Sequence, residues 1–307
     1  MKQHMERPYI LHMFTPGRQM SPFDINMAAD AGYQIIVPYA EAGLDAITGL
    51  TQDTIFSRGP KGVARTGIFI GGRDALLAAD MLERAQAAMV KPFVVSLMAD
   101  PSGAYTTAAA MVACVEAALQ RAHGAGLADR RVVVFGGSGP VGRVAAVLAA
   151  RSGAQVQISS RSGRDAAEAA ASETGKRFGV ALHGVSGRDG AAVRTSLAAA
   201  DVVLGCAAAG VQVLSADDLA AAPRLLVAAD VNAVPPAGIA GVGVMDNAKP
   251  IGGGTVLGIG ALAIGNVKYQ TQHRLLVQMR EGEKAVVLGF AEALTTARAV
   301  VAEAGGA

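Results

Sequence analysis

Short apolar runs alternate with longer stretches of helical periodicity along nearly the whole chain, the pattern of strands threaded between helices. In the first third this pattern predicts strands at residues 9–14, 34–38, 66–70 and 93–99. Helices are predicted at 22–31, at 74–89, where the period is strongest, and at 107–123, after the loop DPSGAYT at 100–106. From residue 131 a second series follows, with strands at 132–135, 155–159, 180–183, 202–206 and 225–230 and helices at 141–152, 165–178 and 191–199. A last helix is predicted near 291–304. Alternation of this kind builds parallel sheets covered by helices, so the fold class is α/β. The glycine-broken run GAGLAD at 124–129 predicts a hinge between two domains. The first is a smaller α/β domain for substrate over 1–125, and the second a doubly wound parallel-sheet domain over 126–284. The C-terminal helical segment, 285–307, is expected to pack back onto the first.

The segment RVVVFGGSGPVGR at 131–143 runs an apolar strand straight into Gly137-x-Gly139-x-x-Gly142 and then into an alanine-rich helix. In a Rossmann unit this order holds a dinucleotide pyrophosphate. Gly137 is assigned the tight turn, Gly139 the close approach of backbone to phosphate, and Gly142 the close packing of helix on strand. Ser138, Pro140 and Val141 complete the loop, and the N–H groups at the helix start face the anion. An ordinary glycine-rich strand–helix turn is the competing explanation; the strand before and the helix after favour the nucleotide.

The next strand, AQVQISS at 154–160, ends where an NAD enzyme places Asp or Glu on the ribose 2′-hydroxyl. Here stand Ser159, Ser160 and Arg161, with Arg164 close behind. A guanidinium and hydroxyls suit a 2′-phosphate and no carboxylate repels it, so NADP is the expected cofactor and NAD the alternative. A solvated loop without a ligand is the other reading. Two further loops follow strands on the ligand side. Small residues such as Ala207 and Ala208 in 205–210 suit the nicotinamide end, and Asp230 and Asn232 in 230–236 either bind ligand groups or cap the next element.

Composition narrows the picture. The 307 residues are 51% hydrophobic but only 4% aromatic, with 38 Gly and no Trp, which gives no platform for stacking nucleic-acid bases. Net charge is +2 with signs interspersed, so neither nucleic acid nor an acidic membrane is an expected partner. Cys114 and Cys206 lie in separate apolar segments and read as free core thiols; the five histidines show no ligand spacing, so no metal is expected. The start, MKQHMERPYILHMF, lacks the features of a signal peptide, and a cytoplasmic protein is expected. The uncharged stretch 250–267 is the one segment that resembles a membrane span, but its six glycines predict a loop leading into a helix.

No acid–base pair, nucleophile–His pair or metal cluster stands out. A hydride leaving a carbon flanked by two nitrogens needs none, because the nitrogen lone pairs stabilise the resulting cation; alignment and water exclusion matter more. An alcohol dehydrogenase, by contrast, needs a base or a metal. The cluster NVKYQTQH at 266–273, expected to open a helix, puts Lys268, Gln272 and His273 four to five apart on one face. It either presents polar groups to a ligand or is a solvated helix start.

The chain as a whole resembles the NAD(P)-dependent methylenetetrahydromethanopterin dehydrogenases of methylotrophic bacteria. The segments that carry the resemblance are SPFDINMA (21–28), IFSRGPKGVARTGIFIGGRD (55–74), DPSGAYTTAAAMVACVE (100–116), VVVFGGSGPVG, GVQVLSADDL (210–219), DVNAVPPAGIAGVGV (230–244) and GIGALAIGNVKYQTQH (258–273). The resemblance implies oxidation of methylene- to methenyl-tetrahydromethanopterin on the route from formaldehyde to formate. It also implies a substrate domain like that of the folate dehydrogenase–cyclohydrolases, and a homotrimer. It places Ser102, Gly103, Thr106 and Thr107 near cofactor and substrate, and Ser21 and Asp24 at the polar edge of the pterin. Lys268 is assigned, by analogy with a lysine of the folate enzymes, to orienting the reacting centre, with Gln272 beside the substrate. One departure matters: members that accept NAD tend to carry an acidic residue at the end of the second strand, where this chain has Ser160 and Arg161.

Three alternatives stay open at this point. A folate-specific methylene dehydrogenase differs only in contacts to the substrate tail. A shikimate-dehydrogenase-like reductase needs a Lys–Asp pair, and Lys61 has no evident partner in the sequence. A non-catalytic NADP sensor would lack polar groups for a substrate. A cyclohydrolase activity is not expected.

Overall fold

A computed structural model describes residues 7–305; the first six residues and 306–307, the end of the expected C-terminal segment, lie outside the described residues. The chain divides into two compact units, one comprising 1–105 and 270–296, the other 106–269 and 297–307.

The first, smaller unit contains β1 (Ile10–Phe14), α1 (Pro22–Asp30), β2 (Ile35–Tyr39), α2 (Ile47–Phe56), α3 (Pro60–Val63), β3 (Thr66–Ile70), α4 (Ala75–Ala87) and β4 (Ser96–Ala99). With a late strand, β12 (Val287–Leu288), these strands form a wholly parallel sheet in the order β12-β4-β3-β1-β2. Every residue of β3 and β4 is buried, as central strands of a parallel sheet require. Asp74 caps α4 by accepting hydrogen bonds from the Leu76 and Leu77 N–H groups (2.9 and 3.1 Å), a contribution of about 1 kcal/mol.

The division falls at Tyr105/Thr106, inside α5 (Ala104–His123), and not at the expected hinge. Gly124 takes φ +68° with nothing near its Cβ position, so this glycine run serves as a turn from α5 into β5 (Arg131–Phe135) within the second unit. The helix is apolar on all sides, with Ala108–Val115 buried throughout. Among the described residues, Pro101–His123, which includes this helix, is the one segment long and apolar enough to cross a membrane, yet 78% of its apolar 18-residue window is buried in the protein. The uncharged stretch 250–267, expected to be a loop leading into a helix, holds the end of one strand, all of another and the start of a later helix, Ala261–Glu281.

The second unit continues with α6 (Pro140–Arg151), β6 (Gln155–Ser160), α7 (Arg164–Phe178), β7 (Leu182–Ser186), α8 (Gly190–Leu197), β8 (Val202–Gly205), α9 (Ala216–Ala220), β9 (Val227–Asp230), β10 (Asn247–Pro250) and β11 (Leu257–Ile259). Its sheet runs β10-β11-β9-β8-β5-β6-β7, parallel except for β10. Sequence order reverses between β5 and β8, the doubly wound arrangement with its switch point at that gap. Val133, Phe135, Val203, Ala228 and Ile239 pack with Val193 and Leu197 of α8 in one apolar cluster. The chain ends with α10 (Ala261–Glu281), β12 (Val287–Leu288) and α11 (Phe290–Gly305). Both cysteines are free, as expected.

Candidate functional site: a nucleotide crevice and a loop cluster

At the carboxyl end of β5 the backbone turns at Gly136, which takes φ +72°. A Cβ there would lie 2.6 Å from the Ala207 nitrogen and the Cys206 carbonyl, so only glycine fits. The tight turn therefore belongs to Gly136 and not to Gly137, where the fingerprint alone would put it. Gly137 is needed for closeness instead: its Cβ would meet that of Ile158 on β6 at 2.5 Å. Gly142 lets α6 pack on the turn, since a Cβ would sit 2.5 Å from the Gly136 carbonyl oxygen. Gly139 is the N-cap of α6 and brings no side chain to cap the first N–H groups, and Pro140 follows at the first helical position. A helix start of this kind presents backbone donors and the positive end of the helix dipole to an anion.

A cavity of about 320 Å³ opens at this turn. Gly136, Ser138 and Gly139 line it from the turn, Ser159, Ser160, Arg161 and Ser162 from the end of β6, and Cys206, Ala207 and Ala208 from the end of β8. No carboxylate is among its lining residues. The Ser160 carbonyl accepts from the Gly163 and Gly187 N–H groups (3.2 and 3.0 Å) and its Oγ from Ser162 N–H (3.2 Å), which fixes the loop that presents Arg161. Arg161 is exposed to the cavity; Arg164 opens α7, is exposed and does not line it. Gln212 and Val213 also line the cavity; sequence reasoning missed them, although they follow directly on the small-residue loop after β8. A larger cavity, about 420 Å³, lies at the amino-terminal edge of the same sheet around Arg131, Gln155 and His183. Ligands of open α/β sheets bind at the carboxyl edge, so the smaller cavity is the candidate.

Asp230 and Asn232 point into their own loop. The buried Asp230 carboxylate accepts from the Asn232 and Ile239 N–H groups (3.0 and 3.1 Å). Burial pushes its pKa up, opposed by these backbone donors and by Gly238 N–H. Asn232 Oδ1 accepts from Gly210 and Val234 N–H, and its Nδ2 donates to the Pro236 carbonyl. Neither residue lines the cavity, and neither does Thr107, half-buried on α5. The Cys206 thiol approaches Met111 Sδ at 3.8 Å, and burial, then the Asp230 charge, push its pKa up.

In the first unit, three loops at the carboxyl ends of β1, β3 and β4 are tied together. Ser102 sits in the left-handed region at φ +49°, with Gly103 at +70°, and donates its hydroxyl to the Gly72 carbonyl (2.8 Å). Gly72, at φ +108°, lies against Pro16. A non-glycine residue held in this conformation costs about 1 kcal/mol or more and persists only where its surroundings enforce it. The Asp100 carboxylate accepts from Tyr105 N–H (2.9 Å) at the start of α5, and Thr106 is fully buried on the same helix. Two expected substrate residues far apart in sequence meet: Gln272 Nε2 donates to Asp24 Oδ1 at 2.8 Å, both side chains buried. Ser21 precedes α1 as its N-cap, but its hydroxyl makes no capping bond. Lys268 is half-buried within α10. The cluster 266–273 does not open that helix, because the good helix formers Ala261–Ile264 start it a turn earlier. His273 Nε2 lies 3.4 Å from the Asp30 carbonyl, on the helix surface. Among the described residues no group of three His, Cys, Asp or Glu side chains is placed to hold a metal.

Comparison with known proteins follows the same lines. Residues 22–102 match a family described as "Methylene-tetrahydromethanopterin dehydrogenase, N-terminal". The chain is 49% identical, over 92% of its length and 96% of the relative's, to the NAD(P)-dependent methylenetetrahydromethanopterin dehydrogenase of Methylorubrum extorquens. It is 32% identical, over 90% of its length and 94% of the relative's, to the bifunctional protein MdtA of the same organism. Among solved structures, the 5-ketofructose reductase of Gluconobacter sp. strain CHM43 superposes with a TM-score of 0.51 at 16% identity, covering 96% of this chain and 99% of that one. Quinate dehydrogenase from Corynebacterium glutamicum gives 0.51 at 14% identity, covering 94% and 98%. These two share the fold alone, whereas the identity to the first relative extends over almost the whole of both chains. The chain belongs to the NAD(P)-dependent methylenetetrahydromethanopterin dehydrogenase family.

Proposed function

We propose that this protein is an oxidoreductase that transfers a hydride from methylene-tetrahydromethanopterin to a nicotinamide dinucleotide, giving methenyl-tetrahydromethanopterin, with NADP preferred and NAD possible. The reading is carried by one observation: a chain 49% identical to a dehydrogenase of that name keeps a strand-end turn in which no Cβ fits at Gly136, Gly137 or Gly142. The second unit is the nucleotide domain. Its α6 N-terminus, free of a capping side chain, suits the pyrophosphate, and Arg161 suits the 2′-phosphate beside Ser160. Ala207 and Ala208 leave space at the end of β8. Bound NADP would supply the carbon that accepts the hydride.

The first unit is the pterin domain in this reading. Asp24 and Gln272, which hold each other's orientation, meet the pterin's polar edge together with Ser21. The strained Ser102–Gly103 corner and Thr106 and Thr107 serve cofactor and substrate, and Lys268 orients the reacting centre. No side chain has to remove a proton from oxygen, because the substrate nitrogens stabilise the cation as the hydride leaves; the chain's task is alignment. The same reading makes the protein a cytoplasmic homotrimer, which sedimentation at working concentration tests. The decisive assay mixes purified protein, NADP and methylene-tetrahydromethanopterin and follows NADPH and the methenyl product. Both should accumulate, the methenyl product should persist without hydrolysis above background, and methylene-tetrahydrofolate should be the poorer substrate. Turnover of the folate substrate alone would replace the proposal.

A further inference from the structure

The glycine turn has a brace that its motif does not contain. Arg143, the residue after Gly142, reaches back from the first turn of α6, and its Nε donates to the Ser138 carbonyl at 3.0 Å. The other side of that same peptide is fixed as well, because Gly139 N–H donates to the Gly136 carbonyl at 3.0 Å. The peptide between Ser138 and Gly139 is thus pinned at both ends. Gly139 flanks it on one side, so without the pins it would rotate with less steric resistance than between two side chains. Ser138 and Gly139 both line the cavity, so rotation of this peptide would reshape the wall against which an anion is expected.

The brace is itself anchored. Arg143 Nη1 donates to the fully buried Thr174 Oγ1 at 2.7 Å and pairs with the Glu173 carboxylate at 2.7 Å, both on α7. The Arg143 side chain is only 18% exposed, against 61% for Glu173, so it is held by packing as well as by charge. α7 is the helix that follows the Ser160–Arg161 loop. One guanidinium therefore links the turn at the end of β5 to the helix leaving the end of β6, through a fork geometry that lysine lacks.

We propose that Arg143 is a positioning residue for dinucleotide binding: it holds the Ser138–Gly139 peptide, and with it the wall of the crevice in which the pyrophosphate is received, and it acts on NADP and NAD alike. The inference rests on the reading of the crevice as a nucleotide site, and it differs in kind from the role given to Arg161. Arg161 distinguishes the two nucleotides; Arg143 serves the part they share.

The test compares Arg143→Met, Arg143→Lys and Glu173→Gln with wild type, using NADPH and NADH fluorescence titration, thermal unfolding, and steady-state kinetics. For Arg143→Met, Kd for both nucleotides should rise by the same factor, roughly ten- to hundredfold, the span of one charge-assisted hydrogen bond. KM for the nucleotide should follow while kcat at saturation stays within about twofold. Arg143→Lys, which keeps the charge but gathers its donors on a single nitrogen, should recover part of the loss, and it carries the test should the methionine variant fail to fold. Glu173→Gln removes the ion pair but leaves the Ser138 bond, so its Kd values should stay within about twofold even where its Tm falls. Wild type binding neither nucleotide would refute the nucleotide reading itself. Wild type binding normally with Arg143→Met and Arg143→Lys unchanged in Kd would overturn this inference alone, as would a loss confined to NADP.

Discussion

Replacing Gly142 with Ala is the sharpest perturbation of the turn, because intrinsic helix propensity and local geometry predict opposite signs. In an open helix position Gly→Ala stabilises by about 0.5–1 kcal/mol. At Gly142 the new Cβ would meet the Gly136 carbonyl oxygen at 2.5 Å and the Gly137 Cα at 2.7 Å, all of it backbone that has no rotamer to change. Moving that oxygen contact out to the 3.4 Å at which ordinary contact begins requires α6 and the turn to separate by about 0.9 Å. Overpacking of this size costs about 1–3 kcal/mol, which lowers Tm by several degrees for a domain of this size. A shift near 1 Å also carries hydrogen bonds at the α6 N-terminus beyond working distance, so Kd for NADPH should rise at least tenfold, about 1.4 kcal/mol. Gly265→Ala, on α10 with nothing within 4 Å of its Cβ position, is the control and should raise Tm slightly. Thermal unfolding and NADPH fluorescence titration on both variants provide the check. A Gly142→Ala protein as stable as wild type, with unchanged Kd, would refute the close-packing argument.

Arg161→Ala should lower kcat/KM with NADP by roughly ten- to hundredfold, one charge-assisted contact, while leaving NAD within about twofold; equal losses with both nucleotides would remove its role in discrimination. Lys268→Ala should lower kcat/KM for the pterin more than about tenfold, about 1.4 kcal/mol, with Kd for NADPH unchanged; a loss of only a few-fold would take the orienting role away. His12, whose Nδ1 lies 3.0 Å from the Tyr39 hydroxyl, has its pKa pushed below the ordinary 6.5 by burial and by the Arg58 charge. The unfolded chain then binds the proton more readily than the folded one, so stability falls as pH drops from 6.5 through the folded-state value. His12→Gln should flatten that part of the Tm-against-pH curve, and an unchanged slope would contradict the assignment.

Much of the fold was legible because its central strands are buried on both faces. Thr66–Ile70 (TGIFI), whose last three residues are strongly apolar, was expected as a strand and is one with those limits. Leu257–Ile259 and Val287–Leu288 were invisible, since strands of three and two residues are too short to show any period. The strand expected at 180–183 lies at Leu182–Ser186, because Gly184 reads as a breaker yet serves close packing: a Cβ there would sit 2.2 Å from the Glu168 nitrogen of α7. The crevice was partly legible. Its glycine spacing and Arg161 are local signals, whereas the inward turn of Asp230 and the meeting of Asp24 with Gln272 depend on tertiary neighbours. The domain boundary misled for a related reason: glycine runs such as 124–129 mark turns, and a turn need not separate units.

The account turns on a phosphate-bearing nicotinamide nucleotide at the β5–β6 edge, and wild-type kcat/KM with NADP and with NAD at saturating methylene-tetrahydromethanopterin tests it most directly. The account predicts turnover with both nucleotides and a clearly higher value for NADP. A higher value for NAD, or no turnover with either, would contradict it.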